Sequence, residues 1–173
     1  MRIVIAGDVY AHDKVFSIKE KKEINAEFPN VSTEIYLEHD GIFFPHYQWT
    51  DLTNSILGMW IYALIKNKDF HNTNFELYFM DGPYRLDVYK GAGMELTINC
   101  INSRNVDVTD LIIKCSYMDF MLALYDAFKS FNYILYCNEM HKGRFEPIYR
   151  QSLISINEIK EVLASLKTYG KHA

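Results

Sequence analysis

The sequence predicts an α+β fold: a mostly antiparallel sheet with about three helices packed on one face, in a single globular domain spanning residues 1–173. Three observations predict it. Segments between Phe75 and Cys100 alternate apolar and polar residues with the two-residue period of half-buried strands, interrupted by short Gly-containing turns. Three other segments repeat apolar residues at helical spacing behind Ser, Thr or Asp. With 49% hydrophobic and 23% charged residues in a chain of 173, there is material for a packed core, which excludes intrinsic disorder.

In chain order, Arg2 to Tyr10 reads as an edge strand followed by a loop. Lys14 to Asn30, carrying Lys19-Glu20-Lys21-Lys22-Glu23, reads as a solvated loop or short helix because its mixed charges leave no apolar face. Val31, Thr33, Ile35 and Leu37 alternate with Ser32, Glu34, Tyr36 and Glu38 as a strand, and Asp40-Gly41 turns the chain into Ile42-Phe43-Phe44-Pro45. Thr50-Asp51 has the form of a helix start, a hydroxyl cap and a carboxylate at the positive end of the dipole, before Leu52, Ile56, Trp60 and Leu64.

Phe75, Leu77 and Phe79 then alternate with Glu76 and Tyr78, and Asp81-Gly82-Pro83 supplies a turn. Leu86 and Val88 alternate with Arg85, Asp87 and Tyr89; after Gly91-Ala92-Gly93, Met94, Leu96, Ile98 and Cys100 alternate with Glu95, Thr97 and Asn99. Three such runs joined by short turns make an antiparallel meander, and Val106 to Cys115 adds a further strand. Ser116-Tyr117-Met118-Asp119 has capping-box spacing, with Asp in place of the usual Glu, ahead of Phe120, Met121, Leu124, Phe128 and Phe131. Ser155-Ile156-Asn157-Glu158 repeats the device before Ile159, Val162, Leu163 and Leu166, with Gly170 placed as a C-cap.

Charge and cysteine use narrow the function. Eighteen Lys and Arg against 22 Asp and Glu give a net charge of −4 and a pI near 5.8. Affinity for nucleic acid comes largely from clustered Lys and Arg, so no direct nucleic-acid partner is expected and a cationic partner is easier to accept. The uncharged run from Leu52 to Ile65 is shorter than the roughly 18–20 residues that cross a bilayer, and it reads as a buried helix rather than a membrane segment. No export signal is visible at the N-terminus, and Cys100, Cys115 and Cys137 suggest neither a disulfide framework nor metal knuckles. A reducing, cytoplasmic location is expected.

Asp8 and His12, with His39 and Asp40 further on, invite an enzyme reading: a small hydrolase or metal-dependent site near the N-terminal strand. The histidines lack recognisable ligand spacing, no Gly-x-Ser-x-Gly elbow accompanies a serine, and no Gly-x-Gly-x-x-Gly loop is present. His39-Asp40 with nearby His46 resembles an acid–base pair, but Asp40-Gly41 is more simply a turn. No catalytic residue, metal or cofactor is therefore expected.

Tyrosine stands out instead, with 13 in the chain. The residues Glu76, Tyr78, Asp81, Tyr84, Arg85, Asp87, Tyr89 and Glu95 lie on or beside the meander and form the candidate partner-binding set. Tyr and Arg supply much of the hot-spot energy at protein interfaces, and carboxylates steer a basic partner. A self-associating structural module using the same face is a further reading.

Phe43-Phe44-Pro45, Trp49-Thr50-Asp51, Ile56-Leu57-Gly58-Met59-Trp60 and Phe79-Met80-Asp81-Gly82-Pro83-Tyr84-Arg85-Leu86 follow one another over about Ile42 to Leu166. This order resembles small bacterial immunity proteins of polymorphic-toxin systems, including those of contact-dependent growth inhibition. There an aromatic-Pro approach, a Trp-x-Asp helix start and an Asp-Gly-Pro-Tyr hairpin precede a late pair of helices. The resemblance implies a non-enzymatic cytoplasmic protein whose partner is a cognate toxin domain, neutralised by covering its active site. Asp81, Tyr84 and Arg85 are the motif residues placed to serve both fold and interface.

Overall fold

Pairing sorts the strands into two antiparallel sheets rather than the single sheet the sequence suggests. In a computed structural model, residues 1–12, 30–104 and 108–169 are described. The charged stretch 14–29, the approach to the eighth strand at Val106 and the C-cap position Gly170 fall outside them.

The first sheet is built from β1 (Arg2–His12), β2 (Asn30–His39), β3 (Ile42–Phe44) and β4 (Thr50–Asp51). β1 lies along one edge of β2, while β3 and β4 share the other. Asp40 and Gly41, at φ 51° and 79°, form a two-residue turn between the paired residues His39 and Ile42. This left-handed backbone at both central positions is why Asp-Gly suits the site. Within β1 the register shifts between Ala6 and Tyr10. Gly7 there has φ 74°, a left-handed backbone that favours glycine in the bulge, and a Cβ on it would make the Glu34 carboxylate, 2.7 Å away, swing aside.

The second sheet is the expected meander, in order β5 (Thr73–Tyr78), β6 (Tyr84–Lys90), β7 (Glu95–Asn102) and β8 (Val108–Ser116). Three helices complete the α+β fold. α1 (Thr53–Asn67) packs against β2 and β5 and so joins the sheets; α2 (Tyr117–Cys137) packs on β1 and on α3 (Glu146–Tyr169). Inward residues of both sheets and the helices share one apolar cluster, centred on side chains such as Trp60, Tyr117, Phe44, Phe120 and Phe131. The buried polar tips find acceptors: Trp60 Nε1 donates to the Tyr78 carbonyl at 3.0 Å and Tyr117 Oη to that of Leu64 at 2.9 Å.

Two helix starts differ from expectation. Thr50-Asp51 is a short strand, and α1 begins after Leu52 without a side-chain cap. α3 begins at Glu146, well before Ser155, which is buried within the helix. The Ser116 start of α2 is as expected: Ser116 Oγ accepts from Asp119 N at 3.0 Å, and Asp119 Oδ2 accepts from Ser116 N at 3.2 Å. No helix among the described residues is long and apolar enough to cross a membrane.

Candidate partner-binding face

The alternation of β5 to β7 decides what this face presents. Phe75, Leu77, Leu86, Val88, Leu96, Ile98 and Cys100 point to the core, which turns Glu76, Tyr78, Arg85, Asp87, Tyr89, Thr97 and Asn99 outward. Pairing arranges them in rows across the strands. One row is Asn74, Tyr89, Thr97, Lys114; the next is Glu76, Asp87, Asn99, Ile112; the third begins with Tyr78 and Arg85. Tyr78 and Tyr89 remain 48% and 43% exposed, which leaves ring surface to bury against a partner.

Glu76 and Asp87 are directly opposed, and like charges in that position repel. Hydrogen bonds offset the repulsion. Arg85 Nε donates to Asp87 Oδ1 at 2.7 Å, Nη2 to Oδ2 at 3.3 Å, and Nη1 to Ser103 Oγ at 2.7 Å. This forked contact fixes the guanidinium plane. Tyr78 Oη donates to Glu76, and that carboxylate pushes the phenol pKa above its usual value. Tyr89 Oη donates to Asn72 Oδ1 at 3.2 Å.

The remaining predicted residues separate. Glu95 sits at the far end of β7, its carboxylate folded over the turn so closely that a Cβ on Gly93 would meet it at 2.6 Å. Asp81 lies at the opposite end of the sheet, exposed in the β5–β6 connection. Tyr84 does not belong to the exposed set. It is only 9% exposed, and its ring meets Phe44 and Trp49 edge-on with centroids 5.7 and 5.1 Å away. Its phase already places it with Leu86 and Val88, so the alternation that found the face also assigns Tyr84 to the core.

Asp51, which the sequence places at a helix start, instead ties the two sheets together. Asp51, fully buried, accepts from Leu52 N at 2.6 Å, Met80 N at 2.9 Å, Asp81 N at 3.1 and 3.0 Å, and Trp49 Nε1 at 3.1 Å. Successive amides of the β5–β6 connection thus cradle an anion supplied by the first sheet. Burial pushes the Asp51 carboxyl pKa up, and the hydrogen bonds pull against it. Gly82 completes the junction at φ 80°, where a Cβ would come within 3.0 Å of the Tyr84 ring and 3.2 Å of Trp49. Asp51 therefore sets the position of Asp81 and of the end of the sheet that carries Tyr78 and Arg85.

The enzyme candidates do not converge. Asp8 lies in the β1 bulge opposite the Thr33 region of β2, whereas His39 closes the other end of that strand, about 20 Å away at strand rise. His39 Nε2 is 3.6 Å from Asp40 Oδ2, and His46 Nδ1 is 2.9 Å from the Tyr47 carbonyl with its ring against Trp49. His12 is paired with Asn30 through its backbone; its side chain is outside the described residues. Among the described residues, no three His, Cys, Asp or Glu side chains gather in a group able to hold a metal ion. No family, curated protein or solved structure matches the chain.

Proposed function

We propose that this is an immunity-type protein of the cytoplasm, which binds a cognate bacterial toxin domain and occludes its active site without turning over a substrate. The observation that supports this most directly is the outer face of β5 to β8, which no described element covers and where exposed Tyr78 and Tyr89 flank a fixed Arg85–Asp87 pair. Aromatic rings beside an ordered guanidinium are the side chains that dominate binding energy at protein interfaces. Because Asp87 and Ser103 already hold Arg85, little rotamer entropy is lost when a partner arrives.

Charge indicates the kind of toxin. Glu76, Asp81, Asp87 and Glu95 outnumber the cations Arg85 and Lys114 across this region, a bias that steers a basic surface toward it. A nuclease domain, whose groove must hold phosphates, fits that requirement, with the carboxylates standing where phosphates would lie. Four strands about 4.8 Å apart and roughly 24 Å long project only about 450 Å², against about 800 Å² per partner in a standard interface. The footprint must therefore reach past the rows to the Asp81 and Glu95 ends.

The test is co-expression with candidate toxin domains, taken first from any large gene immediately upstream of this one. Rescue of growth, and a one-to-one complex whose formation slows with added salt, are the expected results. Failure to bind those domains or their close relatives, or a stable symmetric homo-oligomer closed over the same face, would exclude the reading.

A further inference from the structure

The N-terminal strand offers a second interface of a different kind. Among the described residues β1 pairs only with β2, and no described strand covers its other edge. Along such an edge every second residue points its N–H and C=O away from the sheet, a row of unmade hydrogen bonds that a further strand can complete. Sheets commonly blunt an edge with Lys, Pro or a bulge. Here the bulge comes only after Ala6, and Ile3-Val4-Ile5-Ala6 carries no charge.

A groove of about 470 Å³ runs beside this edge. Met1 through Ile5 line it consecutively, and since neighbours in a strand face opposite ways, the groove follows the edge rather than either face of the sheet. Its other wall is α2, through Asp119, Leu122, Asp126 and Ser130. The lengths agree: the helical stretch from Asp119 to Ser130 spans about 16 Å at helix rise, as do five residues of strand.

The wall also selects the occupant. Asp119 and Asp126 stand two turns apart, about 10 Å, on the same side of α2. One oxygen of Asp119 serves the helix cap, and Asp126 makes no ion pair with any described residue. Arg2, the cationic side chain of the β1 wall, is engaged by Glu38 at 2.6 Å. From this geometry we infer that the groove between β1 and α2 accepts an extended basic segment of a partner protein, added as a strand to the β1 edge. Its apolar side chains rest on Leu122 while Lys or Arg on the alternate positions reach the two carboxylates. A second copy of this chain does not suit the seam, because antiparallel pairing of β1 with β1 would line it with both pairs of carboxylates. The inference stands apart from the toxin reading, which uses the other sheet.

Hydrogen exchange of the intact protein tests it, with a blocked Lys-Val-Lys-Val-Lys-Val peptide as probe and the Glu-Val counterpart as control, each up to its solubility limit. The expected result is slowed exchange confined to the amides of residues 2–6 with the lysine peptide alone. Asp126→Lys, an exposed change whose fold is verified by circular dichroism, should weaken binding by about tenfold, the scale of one close charge pair. Added salt should weaken it further. Protection on another strand, equal binding of both peptides, indifference to Asp126→Lys, no binding of either peptide, or a dimer closed through β1 by light scattering would each overturn the proposal.

Discussion

Asp51 and Lys90 are the two buried charges whose surroundings explain most about how the sheets are held. Replacing Asp51 with Asn puts an amide NH₂ where backbone N–H groups now donate, so Asp51→Asn should lower stability by about 2–4 kcal/mol. Denaturant titration checks this as a drop in midpoint with an unchanged slope. Lys90 is fully buried at the end of α1, with Nζ donating to the carbonyls of Lys68 at 2.8 Å and Phe70 at 2.5 Å, near the negative end of the helix dipole. Burial lowers its pKa from 10.5. The folded protein therefore sheds this proton before the unfolded chain does, and between the lowered pKa and 10.5 the unfolded state binds more protons. The contribution of Lys90 to stability should rise with pH through that window. Denaturation series for the native chain and Lys90→Met should show the native advantage growing as pH approaches about 10.5; a constant or shrinking difference contradicts the assignment. Neither residue was legible as a structural charge. Lys90 follows the strand alternation and so occupies an inward position, but an ammonium there makes sense only once the carbonyls at the end of α1 are placed beside it.

At the scale of elements, caps and turns carry the argument. Ser116 Oγ and Asp119 satisfy reciprocal donors at the start of α2, so Ser116→Ala should cost about 1 kcal/mol, measurable as a shift in thermal midpoint. Gly82→Ala should cost more, because φ of 80° and two aromatic rings within 3.2 Å oppose a Cβ together. The α2 cap was readable from spacing because the sequence following it is amphipathic over its whole length. The same kind of signal misled twice. Thr50-Asp51 precedes an apolar run as an N-cap pair does, yet its pairing with Thr33 and Glu34 makes it a strand, a contact that local sequence does not carry. Ser155-x-x-Glu158 imitates a cap in mid-helix, whereas the better signal lies at Glu146-Pro147, with Pro in the first turn and Glu146 bonded to Arg150 one turn on.

Across the whole molecule, α1 and the Asp51 junction fasten a small irregular sheet to a regular meander around one core. The meander was legible because its strands are half-buried and joined by short turns, so period and turn chemistry agree. Division into two sheets was not, since β3 and β4 have three and two residues and owe their places to long-range pairing with β2. The edge position of β1 among the described strands is legible in the sequence, but the acidic wall that shapes a groove beside it arises only when α2 folds back across more than a hundred residues of sequence. The proposed toxin-binding role rests on exposed side chains whose removal leaves the core intact. Tyr78→Ala with Tyr89→Ala should lower the unfolding midpoint only modestly, through loss of the bonds to Glu76 and Asn72 and of strand propensity, because both rings are outward and half-exposed. The most direct measurement is calorimetric affinity for the toxin domain that the co-expression test identifies, native protein against this double variant. A loss of about a thousandfold, equivalent to two hot-spot residues of about 2 kcal/mol each, is the predicted result, and equal affinity for both proteins would contradict the assignment of binding to this face.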